Sequence, residues 1–448
     1  MLSIAQAEAR AAALIEAALK SGADAADALY VGDASTGVQV RLGELEDVGR
    51  SEGEEIGLRV FVGSRSASVS SSDLSRDALA ALVERATAMA REAPEDPHAV
   101  LAPVERLLRG DAPDFDADDG EDPLPTALKA MALAMEEAAR AVLGITNSEG
   151  AGVSAGRNVI ALATSGDFVR GYTTSGYSGW ASVIGGEGGD MQRDHASHST
   201  RHLADLDPPE AIGRLAGERT MARLRPGKLA SGAMPVLFDP RVGGGLVGHL
   251  LGAMSGPGIA RKSSFLLGRQ EEAIFPEGIT ICDDPHRPRG LKSKPFDGEG
   301  VATSPRKLID RGRLTGWLLN ASSAHQLGLT VTGNATRGVG GAPGVGATNV
   351  HLEAGMVSPP ALMADVKLGV YVTELIGQGV NPVTGDYSRG ASGFIIRDGA
   401  IAGPVAEITI AGNLLDMYRH LAAADDLKFR RTTNVPTLRI DGMMVAGA

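Results

Sequence analysis

Cysteine is almost missing from this chain: Cys282 is the only one in 448 residues. A single thiol excludes an intrachain disulfide and any thiolate-built zinc knuckle or iron–sulfur centre, since these need several sulfur ligands. A reducing compartment is the expectation. Aromatic residues make up only 4%, so the core has to be assembled from aliphatic side chains. No uninterrupted apolar run reaches the roughly 18 residues of a membrane-spanning helix. No membrane partner is therefore expected, and the cytoplasm is the expected location. The opening stretch MLSIAQAEARAAALIEAALKSG lacks a basic leader and a small-residue cleavage site, so it reads as a helix and not as a signal. Positive charge is also in short supply, with 43 Lys and Arg against 55 Asp and Glu for a net charge of −12. Such a surface repels phosphate backbones and argues against a nucleic-acid partner.

Glycine is what the sequence has in excess, at 59 residues, which implies many turns and close backbone approaches. Hydrophobic residues at 43% and charged residues at 22% are globular values, and the length exceeds one domain of about 150 residues. Leu2, Ile4, Leu14, Ile15 and Leu19 share a helical period that Gly22 is placed to end. ALYV, GVQVRL, GLRVFV and SASVS follow as short antiparallel strands, and a helix capped by Ser72 or Asp73 completes an α-β-β-β-α unit. The acidic stretch 111–122 lacks calcium-loop register and reads as a solvated linker. Further helices are expected from about Pro125 to Leu143, after Pro208-Pro209, and from Arg241 to Met254. From Met234 onward short strands alternate with long glycine-rich turns. The expected class is α+β: an N-terminal sandwich-like part with mixed antiparallel sheets over 1–227, then a mostly β domain over 228–448.

Metal chemistry would need converging histidines, and few of the nine cluster. On the helix GGGLVGHLLGAMSG, His249 is followed by Leu250, and neither Ala253 nor Met254 can ligate, so the paired-histidine zinc pattern is incomplete. His195, His198 and His202 would share a face only if helical, whereas their Ser- and Thr-rich surroundings predict loop or exposed strand. Gly243, Gly245 and Gly248 spell GxGxxG without the acidic residue a dinucleotide site requires, and they read as a closely packed helix start. Ser304 and Lys307 form an SxxK without its companion motifs. More informative are RKSSF, CDDP, KPFDGEG, TGNATRG and NPVTGDYSRGASG, where polar residues and glycines interleave. They read as surface loops, and the last, with Thr384, Asp386, Ser388 and Arg389, as one able to hold an extended peptide.

Those stretches, together with GRLTGWLLN, YVTELIGQG, EITIAGNLLDM and PTLRIDGMMVAG, closely resemble the TldD/PmbA family of metallopeptidases over nearly the whole chain, most strongly from 235 to 448. The chain looks like the PmbA branch, also called TldE. In the TldD branch zinc is held by two histidines of an HExxxH helix and a cysteine near the C-terminus. Here Gly248 and His249 stand in the HE region, the second histidine is lost, and Arg430, Arg431 and Thr432 occur without a cysteine. The resemblance thus implies no metal in this chain, zinc in a TldD-type partner, and a heterodimer that encloses an unfolded peptide, with a homodimer possible for the chain alone. No catalytic residue is expected, and His249, Arg261, Lys262, Asp386, Ser388 and Arg389 are the candidates for peptide or partner contacts. The alternatives are a self-sufficient metallopeptidase with a non-standard histidine site and a homodimeric peptide-binding adaptor.

Overall fold

Ser3 starts the first helix by a capping box: its hydroxyl accepts the Gln6 N–H, while the Gln6 side chain accepts the Ser3 N–H. The resulting helix α1 (Ile4–Lys20) buries Ala7, Ala11, Leu14, Ile15 and Ala18. A computed structural model describes residues 1–447. Strands β1 (Ala25–Arg41), β2 (Glu44–Val62) and β3 (Arg65–Ser71) precede helices α2 (Arg76–Glu92) and α3 (Pro125–Arg140). Strands β4 (Ile145–Thr164), β5 (Phe168–Gly185) and β6 (Gln192–Thr200) then lead to α4 (Pro209–Ala222). The six strands form one antiparallel sheet in the order β3-β2-β1-β4-β5-β6.

Alternation along β1 explains the layers. Ala26, Ala28 and Tyr30 face α1 and α2, and farther along Val38 and Val40 face α3. Leu29, on the opposite face, joins a core shared with the C-terminal half, as do Leu162 and Phe168. One face of the sheet is therefore covered by helices and the other by the rest of the chain.

The C-terminal half opens with β7 (Gly232–Phe238) and helix α5 (Pro240–Ala253). Strand β7 pairs in parallel with Leu368–Ile376, which continues antiparallel to Asp386–Arg397 and then to Ala400–Asn413. The strand Leu438–Ala446 bonds to β7 on one side and to Ala400–Asn413 on the other, closing these five strands into a barrel. A smaller five-stranded sheet contains Ile281–Asp283 and Val350–Leu352. The α+β class with antiparallel sheets and a mostly β C-terminal half is as expected from the sequence.

Three local expectations need correction. ALYV and GVQVRL are one continuous 17-residue strand, and GLRVFV is the end of a 19-residue one, because the polar, glycine-bearing middle of β1 finds a full ladder in β2. The acidic stretch leaves five of its seven carboxylates exposed but is also strapped down: Phe115 and Ala117 are buried, Asp118 receives two hydrogen bonds from Arg157, and Asp119 receives the Tyr177 hydroxyl at 2.7 Å. CDDP, KPFDGEG and TGNATRG are not surface loops. Asp283, Asp297, Glu299, Asn334 and Arg337 are all buried, so these stretches supply polar groups to the interior.

Candidate functional site

Helix α5 begins at Asp239, whose carboxylate accepts the Arg241 N–H at 2.8 Å, with Pro240 pre-set in the first turn. Leu246, Val247 and Leu250 anchor it to the core. Its first turn carries Arg241 and Val242 to the wall of a cleft of about 700 Å3. The other walls are Trp180 and Ser182 of β5, His195 and Ser197 of β6, and Thr373 to Leu375. The cleft thus lies where the N-terminal sheet meets the C-terminal barrel.

Charge in this cleft is organised around Asp194, which is 4% exposed. Its carboxylate accepts Arg241 Nη1 at 3.1 and 3.2 Å and Arg223 Nη1 at 3.4 Å. Arg223 also donates to Glu374. A buried carboxylate that satisfies two guanidinium groups holds β6, α4 and α5 in register.

Deeper along α5, His249 packs edge-on against Tyr387, with ring centroids 6.0 Å apart at 74°. The Nε2 of His249, the Tyr387 hydroxyl and the Nε of Arg389 are each buried without a hydrogen-bond partner among the described residues. Burial, reinforced by the Arg389 charge, holds His249 below the usual imidazole range. Burial also pushes the Tyr387 phenol up to about 12 against the opposing pull of Arg389. The constellation is a neutral imidazole, a protonated phenol and a guanidinium, each with hydrogen-bonding capacity left unused among the described residues.

These donors do not fit a zinc ion. One imidazole is present, its neighbour Arg389 repels a cation, and the phenol stays protonated. The segment that would bring a sulfur ligand does run past α5: a Cβ on Gly244 would lie 3.3 Å from the Thr433 carbonyl oxygen. It offers Arg431, Thr432 and Thr433 there instead of cysteine. Among the described residues, no three His, Cys, Asp or Glu side chains converge to hold a metal. Cys282 itself is kept protonated, since burial first and Glu353 second push its thiol to about 11.

The histidines at 195, 198 and 202 are not brought together. His195 and His198 lie on β6, where a spacing of three sends them to opposite faces. His198 Nδ1 accepts the Asp207 N–H at 3.1 Å, and His202 Nε2 lies 3.0 Å from the Asp116 carbonyl. Arg261 and Lys262 are exposed at the end of a short helix, Lys262 with φ of 57°. Their turn does meet the 381–386 loop, because the Phe265 N–H donates to the Pro382 carbonyl at 2.9 Å. Asp386 spends its carboxylate within that loop, accepting the Thr384 hydroxyl at 2.7 Å and Asn413 Nδ2 at 3.2 Å. These bonds hold it below the usual carboxylate range. Ser388 is exposed, while its N–H donates to the Gly379 carbonyl at 2.7 Å. Of the six candidates, the structure groups His249 with Arg389 and leaves the others along an outer rim. From the sequence Asp194 is singled out only as a possible fourth ligand beside His195, His198 and His202, and Arg223, Arg241 and Tyr387 are not singled out. Only alternation along YSR, which turns Tyr387 and Arg389 to one side, hinted at one of them.

The fold, an antiparallel sheet under helices followed by a barrel, is that of a metallopeptidase family, although the residues here do not fit the metal. Residues 26–90, 118–224 and 231–447 match, in turn, domain 1, the central domain and the C-terminal domain of the PmbA/TldA metallopeptidases, so the chain belongs to the PmbA/TldD family. It is 40% identical to Metalloprotease PmbA of Escherichia coli O157:H7, covering 92% of this chain and 90% of that one. It is 36% identical to the Metalloprotease PmbA homolog of Haemophilus influenzae, covering 97% and 94%. A crystal structure from Bacteroides thetaiotaomicron, described as a modulator of DNA gyrase, superimposes with a TM-score of 0.91 at 27% identity over 98% of this chain and 99% of that one. TldE from Thermococcus kodakarensis has the same fold, with a TM-score of 0.88 at 22% identity over 98% and 100%. No helix among the described residues is long and apolar enough to cross a membrane.

Proposed function

We propose that this chain is the PmbA/TldE-type subunit of a two-chain zinc metallopeptidase. A TldD-type partner carries the zinc, and this chain encloses the unfolded peptide. The observation that supports the reading most is the environment of His249: on the helix that bears the family's metal ligands it stands beside Arg389 and Tyr387, a set with unused hydrogen-bonding groups and a positive charge that disfavours a cation. His249, Arg389 and the rim of Arg261, Lys262, Asp386 and Ser388 are the proposed contacts to peptide or partner. The place of action is the cytoplasm, and no nucleic acid takes part.

Zinc content per chain, with hydrolysis of an unstructured protein such as casein, tests the reading. The purified chain is expected to hold no stoichiometric zinc and to be inactive until a TldD-type chain is added, when chelator-sensitive hydrolysis appears. Tightly bound zinc that is lost in His249→Ala, together with hydrolysis by the chain alone, would instead establish a self-sufficient peptidase. Peptide binding with no response to a TldD-type chain would establish the adaptor.

A further inference from the structure

A second cavity, of about 230 Å3, lies beside the main cleft and shares Arg431 with it. Residues 198–201, running off the end of β6, form one wall, and the segments 287–291 and 429–431 form the other. Five arginines line it against a single lining carboxylate, Asp205, in a protein whose net charge is −12. Two of the five are neutralised locally. Arg289 binds Asp116 at 2.7 Å and Asp205 at 3.0 Å, and Arg430 pairs with Asp207.

The remaining three have no carboxylate partner among the described residues. Arg201 is clamped by main-chain oxygens, donating to the carbonyls of Ser175 at 2.8 Å, Gly290 at 3.4 Å and Leu291, so its charge is placed but not cancelled. Arg287 lies flat on Phe429, its guanidinium carbon 3.2 Å from the ring centroid, and Asp284 acts on it only at a distance. The Arg431 side chain makes no ion pair or hydrogen bond among the described residues. Burial disfavours the charge of both Arg201 and Arg287, pulling each below the usual guanidinium range. Arg431 is exposed and solvated, whereas Arg201 and Arg287 are partly desolvated charges that an entering anion relieves.

Planar guanidinium groups with free edges match a planar carboxylate, and Phe429 and Leu291 supply apolar surface for the chain that carries it. We infer that this cavity is a receptor for a carboxylate of an unfolded peptide, held by Arg287 and Arg431 over a floor charged by Arg201. The peptide's body would lie along β6 in the adjoining 700 Å3 cleft. The inference rests on the proposed peptide-enclosing role and specifies its substrate class: chains offering a carboxylate at a fixed distance from the cleft. The carboxylate has two sources, a chain terminus or an Asp or Glu side chain.

Fluorescence anisotropy on the full chain, alone and with a TldD-type partner, tests this with one labelled, unstructured 12-residue peptide in three forms. These are a free C-terminus with acidic side chains, an amidated C-terminus, and a free terminus with Asp and Glu replaced by Asn and Gln. The form that loses affinity identifies the carboxylate. Arg287→Gln and Arg431→Gln are each expected to weaken binding of the acidic peptide about tenfold and to abolish the difference between forms, while Arg397→Gln on the barrel surface changes neither. Circular dichroism and retained assembly with the partner establish that the variants fold. Equal affinity for all three forms, or unchanged affinity in both arginine variants, overturns the inference while leaving the subunit reading intact. Failure of any peptide to bind with or without the partner overturns both. Preferential binding of a single-stranded DNA 12-mer that is sensitive to the same arginines overturns the carboxylate assignment in favour of phosphate.

Discussion

Asp27 on β1 and Arg337 in the C-terminal half meet at 2.5 Å, each side chain 1% exposed. The contact is an ion pair of poor hydrogen-bond angle: Asp27 Oδ1 and the guanidinium nitrogens of Arg337 have no well-directed partner. Arg59, which also pairs with Asp27, and Glu299, 3.8 Å from Arg59, complete a buried group of four ionisable side chains between the two halves. Burial by itself would raise Asp27, but Arg337 and then Arg59 hold it below the usual carboxylate range.

Removing one member leaves the others uncompensated. Asp27→Ala is expected to destabilise the protein by about 3–5 kcal/mol, and Arg337→Met by a similar amount. The double variant should cost less than the sum, because the surviving partner is no longer stranded. Urea midpoints of the three variants check this, and strict additivity would show that the two residues do not interact.

Glu299 makes the same region sensitive to pH. Burial first, then Asp297, raise its carboxyl to about 7 from an ordinary value of 4.5. The folded protein therefore keeps a proton that the unfolded chain has released, so the stabilisation from Glu299 is complete below 4.5 and is lost as pH rises through 7. Relative to wild type, Glu299→Gln should gain about 2–3 kcal/mol between pH 4.5 and 8. Parallel stability curves for the two proteins across that range would contradict the assignment.

His249, a proposed contact to peptide or partner, is left unsatisfied by the fold. Its buried Nε2 has no partner, so His249→Phe should leave the isolated chain as stable or raise its stability by about 1 kcal/mol. Peptide affinity in the complex should fall. A large loss of melting temperature would reveal a hydrogen bond that the structure does not contain.

The glycines of α5 and α4 behave oppositely. A Cβ on Gly245 meets nothing within 4 Å, whereas one on Gly213 would lie 1.9 Å from the Met135 carbonyl oxygen. Gly245→Ala should stabilise by about 0.5–1 kcal/mol. Gly213→Ala should destabilise by more than about 2 kcal/mol, because α3 and α4 must move apart. Thermal denaturation of both variants separates the cases.

That contrast also shows where sequence reasoning ends. GxGxxG on α5 was expected to mark close packing, which holds for Gly243, whose Cβ would sit 3.0 Å from Val435, but not for Gly245 or Gly248. Periodicity predicts that α5 exists but not which of its faces is open. The α-β-β-β-α opening was readable because its apolar residues follow helix and strand periods. The length of β1 and β2 was not, since their middles are polar and are held only by each other. His249 could be picked out as a helix residue lacking ligand partners. Its neighbours Tyr387 and Arg389 come from a strand far along the chain, and no local pattern announces that meeting. Likewise Asp194 reads as a metal candidate beside three histidines, and only the fold shows its carboxylate committed to Arg223 and Arg241.

The strand Leu438–Ala446 sits between β7 and Ala400–Asn413, bonded to both. During synthesis the other four staves emerge first and must wait with two unsatisfied edges until residue 446 has left the ribosome. Until that strand docks, an open curl of β-structure with two free edges can recruit strands from neighbouring chains. Stalling that delays residues 438–446 should therefore be far more damaging to yield than stalling between the halves, where the N-terminal sheet has already acquired its helical cover.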